Sequence, residues 1–400
     1  MTLLDESKKN AEQLVQWYRT LHQMPEVGMQ VYKTSAYVQE QLKAMNIPFQ
    51  TYCDGCAIVA TVGKGEKAIA LRADMDGLAI PEETGLPYAS KNGNMHACGH
   101  DGHTTILLGA AKLLKDHEAE LPGTVKLFWQ PAEETFEGAK AMIDAGVLKD
   151  HPVQAFLAEH GHPAENLPVG HVLLGVGGMA ASGDFFDIRV KGKGCHGAMP
   201  ESGIDPVVIA AEVIHAIQTM MAREISSQES AIVSICSIRS RTADEEQYQK
   251  VYNVIPNCVE MAGTIRTLNN DVREYVVKRL DEIVRGICET AHAEGTLEIR
   301  PVAPVLFNTK ENVELLEKSV TKLLPADYVH YLTRASMGSE DAAFFMNQIP
   351  GCYFNFVNYR PIDGKVYPLH NSRFVDNEDS LPVGAAILAQ GAMDWLAEGK

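Results

Sequence analysis

Positive charge is scarce in this chain of 400 residues: 35 Lys and Arg stand against 52 Asp and Glu, a net charge of -17. So acidic a protein is a poor candidate for gripping nucleic acid or an anionic membrane by bulk charge. Long apolar runs are missing as well. No stretch approaches the roughly 20 residues needed to span a bilayer. The first residues, Met1 to Glu6, turn acidic at once and lack the apolar core of a secretory signal. The cysteines (53, 56, 98, 195, 236, 258, 288 and 352) are spread along the chain, where a small disulfide scaffold would concentrate them. A reducing compartment, most simply the cytoplasm, is the expectation. Internal repeats and low-complexity segments are also absent.

What remains is ordinary globular composition, 46% hydrophobic and 22% charged. A single core stops growing near roughly 250–300 residues, so two domains are expected. Residues 6–24 have helical spacing of Leu14, Tyr18 and Leu21. Apolar runs at 57–62, 68–73, 124–129 and 153–158 suit buried strands, and 103–117 carries an apolar helical stripe. This alternation predicts an α/β domain with a mostly parallel sheet flanked by helices. After Gly177-Gly178 the pattern changes to half-exposed strands near 186–190, 231–238, 259–266 and 297–302, with helices over 207–221 and 272–292. The order β-α-β-β-α-β is the ferredoxin-like split motif of an α+β unit.

The densest chemistry lies in Met95-His96-Ala97-Cys98-Gly99-His100-Asp101-Gly102-His103. Thiolate and imidazole are ligands for zinc and similar metals. Cys98 and His100, two apart, would share one side of an extended segment. His103, at the helix start, is expected to cap it or stay exposed. Gln130-Pro131-Ala132-Glu133-Glu134 follows an apolar strand, where sites of α/β sheets are built. Adjacent carboxylates on an extended chain point opposite ways, so one can bind metal while the other serves as general base. His160 stands at another strand end and His370 in a turn-rich segment. Cys98, His100, Glu134, His160 and His370 together make a five-ligand set for two metals. Cys53-Asp54-Gly55-Cys56 reads as a turn with two ordinary thiols.

Beyond these residues, the chain resembles the bacterial N-acyl-amino-acid amidohydrolases of the hippurate hydrolase type and is similar to plant indole-acetyl-amino-acid hydrolases. The landmarks run nearly end to end: Leu71–Asp76, Glu82–Tyr88, Met95–Thr104, Gln130–Glu134, His196–Pro200, Asn253–Pro256, Gly338–Asp341 and Leu369–Ser372. The resemblance implies a catalytic domain with two metals, interrupted by an inserted lid that also forms a homodimer. It places the metal ligands on the same five residues and the general base on Glu133. Four ligands precede the ferredoxin-like unit and one follows it. The expected division is therefore 1–181 with 303–400 for the catalytic domain and 182–302 for the lid. Departures are Gly197 and Glu201, where many relatives carry Ala and His, and Ala342, where an aromatic residue is frequent.

The function implied is metal-dependent hydrolysis of the amide bond of N-acyl-L-amino acids. Deacetylation of N-acetyl-diaminopimelate, cleavage of small peptides, and an inactive ligand-binding relative are the alternatives. His196, supplied from the partner's lid, would steady the oxyanion. Arg266, with Asn253, would grip the substrate carboxylate. Asp76 and Asp101 would orient ligand histidines. A thiolate ligand favours Zn2+ over magnesium or calcium, with Mn2+, Co2+ and Ni2+ also acceptable to such a site.

Overall fold

The computed structural model of the chain describes residues 1–241 and 252–399. These divide into two compact units. The first comprises Met1–Met179, Leu306–Arg334 and Glu340–Lys400; the second comprises Ala180–Val305 and Ala335–Ser339.

The first unit is built on an eight-stranded sheet. In spatial order its strands are Phe49–Tyr52, Ala57–Gly63, Thr124–Gln130, Ala68–Asp74, Ala155–His162, Gly351–Val357, Val172–Leu174 and Val329–Tyr331. The central four run parallel, and antiparallel pairs occur toward the edges. Period-two alternation sorts the side chains. Leu71, Ala73, Leu127 and Trp129 enter the main core with Leu107, Leu114, Ile387 and Leu388 of the helices His100–Asp116 and Leu381–Glu398. In the paired register Arg72 neighbours Phe128 and Asp74 neighbours Gln130, so polar groups gather on the opposite face. The amphipathic stretch expected over 6–24 is two helices, Leu3–Lys9 and Ala11–His22, broken at Asn10. Asn competes for backbone hydrogen bonds and favours such junctions.

The second unit carries a four-stranded antiparallel sheet in the order Ala231–Arg241, Cys258–Thr267, Ser182–Lys191, Glu294–Ala303. This is the ferredoxin-like strand order that the chain order anticipates. Helices Pro206–Arg223 and Asn270–Thr290 supply Ile209, Val213, Ile217, Val276, Leu280 and Val284 to a core with Phe186, Ile188, Val190, Val259, Met261 and Ile265. A bulge between Ile235 and Ser237 bends the edge strand. Among the described residues no helix is long and apolar enough to cross a membrane. Leu280 is fully buried, so Leu280→Ala should lower the unfolding free energy by about 2–5 kcal/mol in denaturant titrations.

Candidate active site

The parallel strands Ala68–Asp74, Thr124–Gln130 and Ala155–His162 end at one edge of the large sheet. The candidate residues leave from that edge, where open α/β sheets place their sites. After the first strand the chain returns to Cys98, turns at Gly99 and enters the long helix at His100. Gly99 has φ 88, a left-handed conformation that glycine adopts without steric cost. Cys98 and His100 therefore converge through a turn and a helix start, not along an extended segment. After the second strand Glu133 and Glu134 also sit in a turn, with Ala132 and Phe136 at φ 54 and 57. Gly138 closes that turn: a Cβ there would fall 1.6 Å from the Pro131 carbonyl oxygen.

Asp76 locks the turn to the helix. Its Oδ1 accepts the backbone N–H of Glu133 at 3.0 Å and its Oδ2 that of Glu134 at 3.1 Å. The same Oδ1 lies 3.4 Å from His100 Nδ1. The five residues expected as ligands assemble in two groups. Cys98, His100 and His160 bring donor atoms within 4.8 Å of one another, and so do Cys98, Glu134 and His370. Cys98 Sγ is 3.4 Å from His160 Nε2, and His370 Nε2 is 3.3 Å from Glu134 Oε1. His160 Nδ1 donates to the Gly161 carbonyl at 2.6 Å, leaving Nε2 as the free lone pair toward Cys98.

These donors fit a pair of divalent ions. Both ring nitrogens of His100 are buried without a hydrogen bond, a costly state for polar atoms that a cation relieves. Burial pushes the Cys98 thiol well above its ordinary range, and thiolate forms only with positive charge beside it. Glu133 Oε2 stands 3.9 Å from His100 Nε2, at the rim of the same group of atoms. Burial first, then the nearby Glu340 and Asp341 carboxylates, holds its carboxyl well above the usual range.

Scanned against models of protein families, residues 70–394 match Peptidase family M20/M25/M40. The chain belongs to this family. Among its relatives, IAA-amino acid hydrolase ILR1-like 4 of Arabidopsis thaliana is 35% identical over 96% of this chain and 85% of its own length. Hippurate hydrolase of Campylobacter jejuni is 34% identical over 94% of each chain. A solved Bacillus subtilis protein, YXEP, described as a dinuclear metal binding peptidase of family M20, superposes with a TM-score of 0.82 at 31% identity. That match covers 98% of this chain and 99% of the other.

Other residues of this M20 chain join the site without having been singled out by spacing. Arg72, fully buried, donates to Gln130 Oε1 at 2.9 Å, Asp74 Oδ2 at 2.7 Å, and Glu340 Oε1 and Asp341 Oδ1 at 3.0 Å each. Glu133, Glu340 and Asp341 in turn lie close together. A charged residue inside the apolar run Ala68–Ala73 was the available signal. His103 is neither a cap nor exposed: it is fully buried, 2.7 Å from Asp74 Oδ1, and accepts the Gly161 N–H at 3.0 Å. Asp101 departs from its expected role beside the ligand histidines. Its Oδ2 is held by His22 Nδ1 at 2.6 Å, and His22 Nε2 reaches Glu82 at 3.1 Å. Nothing in the sequence around His22 announces that bridge.

His196, Asn253 and Arg266 belong to the second unit. His196 is exposed on the short strand Cys195–His196, paired with Val254, and the Gly197 N–H donates to the Asn253 carbonyl at 2.8 Å. That unit brings His196 and Asn253 together. Arg266 lies near the other end of the strand Cys258–Thr267, its guanidinium 6.0 Å from the Phe185 ring centre. At about 3.3 Å per residue the length of that strand keeps it well away from Asn253. The Cys-x-x-C segment is a 3-10 turn with Cys53 and Asp54 at φ 52 and 56, and its cysteines are free thiols.

Two expectations follow. Burial lowers the pKa of His22, but the Asp101 and Glu82 carboxylates outweigh it and raise the group from 6.5 to about 10. A raised folded-state pKa gives stability that is complete below about pH 6.5 and lost as pH climbs toward about 10. His22→Gln should flatten that alkaline decline in urea midpoints measured across the range. Separately, zinc binding to metal-stripped protein should release the Cys98 proton, read as acidification of an unbuffered solution that Cys98→Ser reduces.

Proposed function

We propose that this family member hydrolyses the amide bond of N-acyl-L-amino acids, releasing a carboxylic acid and the free amino acid. The observation that carries the reading is the placing of Glu133, a buried carboxylate, at the rim of the donor groups, 3.9 Å from His100 Nε2. Relatives named as hydrolases of amino-acid conjugates point the same way.

Cys98, His100, Glu134, His160 and His370 would hold two divalent ions, with zinc the best match to thiolate and imidazole. When bound, such ions lower the pKa of a water and polarise an amide carbonyl. Glu133 removes the proton from the attacking water as the carbon–oxygen bond forms, and delivers it to the nitrogen as the carbon–nitrogen bond breaks. Asp76 keeps Glu133 and Glu134 in register with His100 throughout.

The inserted unit acts as lid and dimerisation domain of a homodimer, and His196 steadies the oxyanion from the partner subunit's lid. The distance along the strand between the His196–Asn253 pair and Arg266 supports their serving different sites of such a dimer. Arg266 grips the substrate carboxylate, the local cation that an acidic protein needs to draw in an anionic substrate. A reducing cytoplasm would preserve the Cys98 ligand.

Assays of the zinc- and manganese-loaded protein on acetyl-, benzoyl- and indole-acetyl-amino acids and on dipeptides test the substrate class. Glu133→Gln should keep two ions per chain and lower kcat by at least about a hundredfold. Unchanged turnover in that variant would remove the proposed base. Arg266→Ala should lower kcat/KM about tenfold or more, chiefly through KM.

A further inference from the structure

The motif Glu82-Glu83-Thr84-Gly85 takes no part in the chemistry above, yet its two carboxylates reach two ligand-bearing segments. Glu82 turns inward. It meets His22 at 3.1 Å, and through His22 the Asp101 carboxylate, next to His100 in the chain. Ser90 N–H donates to its other oxygen at 2.6 Å. Glu83 turns outward to the segment that carries His370. Its backbone N–H donates to the Ser372 carbonyl at 2.8 Å, and the Ser372 hydroxyl donates to Glu83 Oε2, also at 2.8 Å.

That second contact falls where support is needed. His370 has φ 62, a conformation that non-glycine residues hold only when their surroundings over-determine it. On its own side the His370 N–H donates to the Ala97 carbonyl at 2.8 Å, beside Cys98. Two residues on, the Glu83 contact takes hold, followed by Phe374, buried against Met95 and Ala97. The His370 side chain is itself 53% exposed, so side-chain packing does little to fix it. His100 and Cys98, by contrast, are buried. Within its donor group His370 is thus held differently from Cys98 and Glu134: they are fixed in the interior, and it is carried by a backbone segment latched from outside.

We propose that the Glu83–Ser372 latch sets the affinity of the ion held by Cys98, Glu134 and His370, leaving the affinity of the other ion unchanged. Glu83 and Ser372 are positioning residues in this scheme and touch neither ion nor substrate. The inference rests on the assignment of His370 as a ligand, and the experiment separates the two.

The test is titration of metal-stripped, full-length protein with Zn2+ in competition with a chromophoric chelator, which resolves the two binding events. His370→Ala should abolish the weaker event. If it leaves both events unchanged, the ligand assignment fails. Given that loss, Glu83→Ala and Ser372→Ala should each weaken the same event by about threefold to tenfold, the worth of one hydrogen bond. The double variant should be no weaker than Glu83→Ala alone, because that substitution already removes the Ser372 contact. Glu83→Gln, which keeps an acceptor oxygen, should retain most of the affinity. Unchanged affinities in the latch variants, or equal weakening of both events, would overturn the proposal while leaving His370 as a ligand.

Discussion

A single carboxylate, that of Asp76, ties the site together. It caps the turn bearing Glu133 and Glu134 and faces the imidazole of His100. Two backbone N–H groups donate to this buried carboxylate, and a ring nitrogen of a separate element lies 3.4 Å from it. The strand Ala68–Asp74, buried along its whole length, fixes the chain leading to that acceptor. Displacing Asp76 would misplace a ligand, the base and the helix start together, which is why the architecture of the first unit converges on the end of this strand.

Behind Asp76 lies a buried lattice of charge. Arg72 satisfies its guanidinium with Gln130 and three carboxylates, and Asp74 passes the connection to His103. Buried charges persist only when paired and hydrogen-bonded. The lattice therefore tolerates few rearrangements and gives the turn at Ala132, with its left-handed backbone, a rigid support. Burial in this lattice, and then the neighbouring Glu340 and Asp341 carboxyls, raises the proton affinity of Glu133.

Much of this was legible in the sequence because periodicity and ligand chemistry are local properties. The buried strands and the ferredoxin-like order of the second unit follow from residue type and spacing, and Cys98, His100, Glu134, His160 and His370 stand out by ligand chemistry, but their meeting in space is a matter of the fold. Membership of the M20 family accords with the landmarks from Leu71 to Ser372. What could not be read was long-range or conformational. The His22–Asp101 bond spans 79 positions and the Arg72–Glu340 pair spans 268. The turn conformations at Gly99 and Ala132 replace the extended segments that spacing alone suggested. Contacts between distant elements leave no periodic trace, and a single left-handed residue in a turn leaves none either.

We propose that five side chains, with the Cys98 sulfur common to both donor groups, hold two ions beside Glu133. X-ray absorption at the zinc edge of the fully loaded protein, paired with metal analysis, tests it most directly. Two zinc ions per chain and a sulfur scatterer near about 2.3 Å that disappears in Cys98→Ser are expected. One ion per chain, or a spectrum of nitrogen and oxygen scatterers alone, would contradict it.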